Sequence, residues 1–579
     1  MTPVPQTMKR WHLYGAGWEN LGRDGQSETV PVPAYGPNEL LVRIDACGLC
    51  FSDTKVIAQG GSHPRLTGRD LAQEPVTLGH EVACTVVGVG ANRAERYRVG
   101  QRFTVQADVF YQGRGMAFGY VIAGGLSQYG VIPEAILDGD EGCYLLPVQP
   151  QTGYVASALT EPWACVVSAY NQAHREFIKE NGLLLVILNT ADDADWVHVP
   201  IHNHAGPKRV IVSCDVPLEG EVWQSRITTQ VGMVSDYKAL KQQYTESVGF
   251  DDILVVGEVA PEVIEQATAS LADHGVMYIL RGTLVPRKLS LDVGRIHYNW
   301  HHYLGNSLAN APFEHRTKGC FDGYIEPRTA ELLPGGVCWI VGAGGPMGQM
   351  HVQRALGLSH PPRRIVATDI DHARLQSVSD RFGVMARERG IGLIALNPSD
   401  FDADAFAARL REAGTGGERS GFDDIVIMAP FASAIEHAAD FLADGGWLNI
   451  FAGVARGTMA KIDVNRIIRD RCRIVGSTGS SLSDMRETLA RVESGELDTN
   501  ASLAAIGGMD AAAEGLRAVK EGWFAGKTLI FPQIPDLPLM SLTELQDTLP
   551  NVYALLQDGQ FWTNEAEEEL LRLNGASSQ

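Results

Sequence analysis

Long apolar runs are missing from this 579-residue chain. The segment Leu183–Leu188 is typical of its hydrophobic stretches, and a membrane span needs roughly 18 such residues. The first ten residues hold no apolar segment of the signal-peptide kind, which predicts a cytoplasmic protein with no membrane partner. Cysteine is scarce: nine residues, odd in number and scattered, which excludes a disulfide framework and fits thiols kept reduced. Positive charge is in deficit, with 48 Lys and Arg against 69 Asp and Glu and a net charge of −21. That argues against a nucleic-acid binder or a ligand of anionic lipid. What remains is 45% hydrophobic and 20% charged, the composition of a folded globular chain with length for about four domain-sized units.

Residues 1–160 carry short, closely spaced β-type runs broken by glycine, as in 40–45, 82–89 and 100–105, and predict a twisted antiparallel barrel. From there on, strands alternate with helices of ordinary length, the pattern of parallel α/β layers. This second part contains an internal repeat. Phe250-Asp251-Asp252 recurs as Phe422-Asp423-Asp424, Ala272-Asp273 as Ala443-Asp444, Asp292 with Arg295 and Ile296 as Asp463 with Arg466 and Ile467, and Gly305 as Gly476. Two tandem copies of a Rossmann-like unit follow, at 161–310 and 335–480, joined by a connector at 311–334 that holds Pro312, Pro327 and Pro334. Residues 481–540 are expected to complete the barrel, and 541–579 to form a helical tail in which Asn564 to Glu567 cap a helix running through Leu573.

The two copies differ where a nucleotide would bind. In the second, a strand ending at Val341 leads into Gly342-Ala-Gly344-Gly345-Pro-Met347-Gly348 and then a helix-compatible segment. Strand, glycine turn and helix are the context a dinucleotide fingerprint requires: the turn is tight, and the pyrophosphate approaches backbone at a helix N-terminus. The turn is one residue longer than the strict pattern, so the role of each glycine is open. The next strand ends in Asp369, a carboxylate suited to a ribose diol and repulsive to a 2′-phosphate, which favours NAD. In the first copy the corresponding turn reads Asn189-Thr-Ala-Asp192-Asp193, without glycine. This copy is therefore read as degenerate, kept for packing or assembly. Its histidines at 297, 301 and 302 are assigned to a strand or loop surface.

Three segments hold the residues of a catalytic metal site: Cys47-Gly-Leu-Cys50-Phe-Ser52-Asp53, Gly79-His80-Glu81 and Glu161-Pro-Trp-Ala-Cys165. Thiolate, imidazole and carboxylate together suit zinc with an open position. With Gly125-Leu-Ser-Gln-Tyr129 and Gly526-Lys-Thr-Leu-Ile530, these motifs resemble the zinc-dependent medium-chain dehydrogenase/reductase family of alcohol and polyol dehydrogenases. The likeness covers most of 35–170 and 335–532. Within it, Cys50-Phe-Ser-Asp53 and Gly345-Pro-Met-Gly-Gln-Met350 are similar to the L-sorbose-1-phosphate reductase branch.

The resemblance implies a GroES-like barrel and one catalytic zinc on Cys50 and His80, with Glu81 or Glu161 completing the set. It implies Asp53 orienting the histidine, Ser52 passing on the substrate proton, and Lys55 where relatives place a histidine that ends the relay. Cys47 is assigned to packing. No cysteine occurs in 90–130, so no structural zinc is expected. The implied reaction is hydride transfer between NAD(H), lying between the barrel and the second copy, and a secondary alcohol or ketone of a polyol, sugar or sugar phosphate. A ketose-phosphate reductase is the alternative, with Arg65, Arg69 and Arg114 as candidate phosphate ligands. An alternative of another class is a non-catalytic nucleotide-binding assembly or regulatory protein. Family likeness further implies a homodimer or homotetramer.

Overall fold

The computed structural model describes residues 3–66, 68–172, 178–196, 206–219, 228–307, 330–415 and 420–575. Most of the expected connector lies outside these residues. The chain forms two compact units. One comprises Met1–Ser168, Gly345–Met350 and Gly479–Gln579, and the other Ala169–Gly344 and His351–Thr478.

The first unit is built on an eight-stranded sheet. Its central strand, Leu40–Leu49, is buried along nearly its whole length. It pairs antiparallel with Glu81–Val89 on one side and with Lys527–Phe531 on the other, and also with Tyr129–Ile132. Register shifts at Leu41/Val42 and Ile44/Ala46 bend the strand, as bulges do where a sheet curls toward closure. The Lys527–Phe531 strand runs parallel to Leu503–Gly508. Carboxy-terminal residues are thereby hydrogen-bonded into the sheet laid down by the amino-terminal ones. The curled sheet encloses a core of Trp11, Val42, Ile44, Val56, Phe103, Phe118 and Tyr144.

The tail belongs to this unit, with a correction to the expected cap. The helix Asn564–Leu573 is capped by Thr563, whose hydroxyl accepts from Ala566 N. Thr563 supplies the β-region backbone that an N-cap needs, and Asn564 lies one residue inside. Glu567 turns away from its own helix start. Its carboxylate accepts the backbone N–H of Tyr154 (2.5 Å) and of Val155 (2.8 Å), closing the start of the helix Tyr154–Ala158.

The second unit holds a twelve-stranded sheet. Numbered along the chain, the six strands of each repeat lie in the order three, two, one, four, five, six, the doubly wound arrangement of dinucleotide-binding folds. The recurring sequence motifs have matching structural duties. Asp251 and Asp423 accept the backbone N–H that opens the first strand of their repeats, from Leu183 (2.8 Å) and Val337 (2.9 Å). A register shift follows Phe250 and, likewise, Phe422. Arg295 and Arg466 both donate to the carbonyl at the start of the fifth strand, Leu271 O and Leu442 O.

The histidines of the first repeat are not on a surface. His297, His301 and His302 are all buried. His297 Nδ1 lies 3.1 Å from Ile450 O, and burial pushes the imidazole of His301 down to about 2. His297 lies in the helix Val293–Asn299 and His302 opens the strand His302–Ser307, and both are packed inside the second unit.

Candidate active site

The site grows from the end of the central strand of the first unit. After Leu49 the chain turns at Cys50 into the helix Phe51–Gln59, with Cys50 at the N-cap, where the helix dipole favours negative charge. Asp53, wholly buried in the first turn, ties two segments together. One carboxylate oxygen accepts Cys50 N at 3.0 Å, and the other faces Gly79 N at 3.3 Å and His80 Nδ1 at 3.4 Å. Gly79 adopts φ +89°, and a side chain there would strike Cys47 Sγ, so the residue before His80 has to be glycine.

Cys50, His80 and Glu81 converge, each offering a ligand atom within 4.8 Å of the others. They are the one such group among the described residues, and Glu161 is not a member. Glu81 Oε2 is buried without a hydrogen-bond partner, and His80 Nδ1 faces only the Asp53 carboxylate. A methyl group on Gly48 would run into Glu81 Oε2. Thiol, imidazole and an orphaned carboxylate oxygen, with room kept for the last by a glycine, fit a zinc ion by donor type and number.

Lys527, wholly buried, donates to Glu81 Oε1 at 2.5 Å and to Leu49 O at 3.1 Å. Burial opposes its charge, but Glu81 and Cys50 beside it prevail and hold its pKa above the ordinary lysine value. Burial likewise opposes the imidazolium of His80, and Tyr120 and Asp53 outweigh it, so that pKa is raised. Burial lifts Glu161 to about 7, with Glu81 and Asp108 adding to the shift against His80 and Lys527. Sequence reasoning assigned Lys527 no role; the signal was a lysine opening an otherwise apolar β run after Gly526.

Tyr120, also missed, forms one wall. Its ring lies 5.7 Å from those of both His63 and His80. Burial raises its phenol, and the Ser52 hydroxyl hydrogen-bonded to it pulls the other way. Lys55 is half-buried one helical turn beyond Ser52. Arg65 lies 4.8 Å over the Tyr120 ring and pairs with Asp108 at 2.6 Å. Arg69 is spent on backbone carbonyls of Glu74, Pro75, Tyr120 and Val121, and Arg114 is exposed on a two-residue strand. Cys47 is packed in the core, outside the metal group.

In the second repeat the glycine turn has the geometry that its sequence left open. Gly342 takes φ +80° and donates to Thr368 O at 2.8 Å. Gly344 donates to Asp369 Oδ2 at 2.9 Å, and a Cβ there would lie 2.7 Å from Arg374 Cβ. Gly345 has nothing within 4 Å of a would-be Cβ. Met347 and Gly348 lie in the first turn of the helix Pro346–Gly357. In the first repeat, Asp193 accepts from both the backbone and the hydroxyl of Thr190, at 2.8 and 2.9 Å. It also crowds Gly257, so a carboxylate fills the turn.

Residues 36–138 match the alcohol dehydrogenase GroES-like domain. The chain is 23% identical over 569 residues to mannitol-1-phosphate 5-dehydrogenase of Aliivibrio fischeri, covering 96% of each. It is 26% identical over 326 residues to L-sorbose 1-phosphate reductase of Klebsiella pneumoniae, covering 53% of this chain and 76% of the relative. Among solved structures, 2R,3R-butanediol dehydrogenase of Bacillus subtilis shares the fold at a TM-score of 0.50 and 16% identity, over 91% of this chain and 99% of that one. Through the GroES-like domain at 36–138 and these relatives, the chain is similar to alcohol and polyol dehydrogenases.

Proposed function

We propose that this oxidoreductase uses zinc and NAD, and transfers a hydride between NAD(H) and the secondary alcohol, or corresponding ketone, of a polyol, sugar or sugar phosphate. The observation that carries the reading is the convergence of Cys50, His80 and Glu81, with Glu81 Oε2 buried and without a hydrogen-bond partner. These three residues would hold the ion, and Asp53 orients the imidazole by facing its Nδ1. Bound zinc supplies Lewis acidity, lowering the pKa of a substrate hydroxyl or polarising a carbonyl. Ser52 Oγ accepts the hydroxyl proton while passing its own outward to solvent, along the helix face that Lys55 shares. Tyr120 walls the site and keeps it dry on the His80 side.

The nucleotide lies on the Gly342–Gly348 turn, where open space at Gly345 admits the pyrophosphate to the start of a helix. Asp369 receives the ribose diol, and its charge selects NAD over NADP. Held there, the nucleotide would supply the hydride acceptor or donor.

Arg65, held by Asp108 over the ring of Tyr120, the wall that His80 also touches, is the candidate ligand of a phosphorylated substrate. Two of the relatives are named for sugar-phosphate substrates. A panel of polyols and their phosphates, assayed with NAD, tests the reading. Turnover is expected with one of them and lost in Cys50→Ala, while NADH binding survives. Full turnover in Cys50→Ala would refute it. Arg65→Ala should raise KM about 10- to 100-fold for a phosphorylated substrate, the loss of one charge-assisted contact, and leave an unphosphorylated one unchanged.

A further inference from the structure

The two repeats meet in a way that a tandem duplication does not require. The sixth strand of the first, His302–Ser307, lies beside the sixth strand of the second, Arg473–Gly476, antiparallel, with Tyr303 opposite Ile474. A ribbon beyond the sheet joins them again: Leu289–Asp292 pairs antiparallel with Met459–Ile462, with Ser290 opposite Lys461. The constant spacing that relates Asp292 to Asp463 and Gly305 to Gly476 also relates Ser290 to Lys461 and Tyr303 to Ile474. At the centre of each pairing, therefore, a residue faces its own counterpart, and in the ribbon its neighbours exchange, Leu289 facing Ile462 and Leu291 facing Ala460.

The flanking contacts obey the same symmetry. Ser290 N donates to Glu265 Oε1 (2.6 Å), and Lys461 N donates to Glu436 Oε1 (2.7 Å), its counterpart. A Cβ on Gly305 would press on Ile468, and one on Gly476 would press on His297, the counterpart of Ile468. Contacts in which i meets j while j meets i define an isologous, two-fold interface. This one is sealed like a protein interior: Leu289, Leu291, Ala460, Ile462, Tyr303 and Ile474 are all buried in a single core cluster. Obligate subunit interfaces have this character.

We propose that the first repeat is an internal substitute for a second copy of the chain. It fills the two-fold edge of the nucleotide-binding repeat from within the same polypeptide, so the chain folds without a partner at that edge. A second observation agrees. Asp193 closes the phosphate turn of the first repeat, as expected of a copy retained for its edge and relieved of ligand binding. The inference is independent of the substrate and metal assignments. It departs from the homodimer or homotetramer that family likeness implies.

The test places cysteines at the pseudo-axis, in Ser290→Cys/Lys461→Cys, where Lys461 is exposed and Ser290 half-exposed. The full-length variant is treated with a short thiol cross-linker, beside the unsubstituted protein as control. The 290–461 linkage, identified by peptide mass, is expected in a product of one chain, 62.7 kDa. A linked product of two chains, or no 290–461 linkage, would overturn the proposal. Sedimentation of the unsubstituted protein keeps the test independent of the variant's folding. A mass that is, or falls on dilution to, that of one folded chain supports the proposal. An assembly that separates only on unfolding overturns it.

Discussion

At the scale of single residues, the site rests on a buried charge pair that joins Glu81 of the ligand set to Lys527 outside it. Lys527 leaves Glu81 one oxygen for a metal by engaging the other. Lys527→Met strands a buried carboxylate, and removing one partner of such a pair costs about 3–5 kcal/mol. The variant is expected to melt well below the parent and to lose zinc affinity about 10- to 100-fold, as loss of a ligand's supporting contact does. Zinc competition titration and thermal melting check both; unchanged affinity would remove Lys527 from the site. Glu161 gives the metal-free protein a pH signature. Its carboxyl ionises near 4.5 when unfolded and near 7 when folded, so its stabilising contribution is full below about pH 4.5 and lost as pH rises through about 7. His80, also raised, acts in the same direction. Melting temperature of chelator-treated protein should fall from pH 5 to pH 8, and Glu161→Gln should make that fall shallower. An unchanged slope would contradict the assignment. Cys50, Ser52, Asp53 and His80 were legible because two short segments carry them. Lys527 and Tyr120 were not, because a contact such as Lys527 to Glu81 exists only after distant parts of the chain fold into one sheet.

At the scale of elements, each recurring motif marks a backbone obligation that pattern alone could not name. Phe250-Asp-Asp252 and Phe422-Asp-Asp424 were visible as a repeat. That the first aspartate of each pair holds the entry to a strand became clear only from Leu183 N and Val337 N. The glycine turn was legible in kind, while its division of labour was set by the positive φ of Gly342 and by the closeness of Gly344 to Asp369. The tail was misread by one residue at its cap, and its purpose was invisible, since Glu567 serves a helix at the other end of the sequence. Glu567→Ala uncovers two backbone donors at the start of Tyr154–Ala158. It should cost about 1–3 kcal/mol, the penalty for orphaned buried polar groups, read as a lower denaturant midpoint. A midpoint equal to that of the parent would mean that the tail only covers surface.

At the scale of the whole molecule, the sequence separated a β-rich part from an α/β part and found the duplication. Composition and periodicity register each copy separately and carry no information on how two copies meet. The antiparallel edge at Tyr303 and Ile474 is a property of pairing between strands far apart in the chain. The two doubly wound repeats therefore share one sheet, and the second of them has the open turn. No helix among the described residues is long and apolar enough to cross a membrane, in keeping with the missing apolar runs. The central claim is that Cys50, His80 and Glu81 form a metal centre for hydride chemistry. Zinc per chain, measured by elemental mass spectrometry on protein purified without chelator or metal-affinity tag, tests it most directly. The account predicts about one zinc per chain, falling to none in Cys50→Ala; reproducible absence of zinc, even after it is offered, would contradict it.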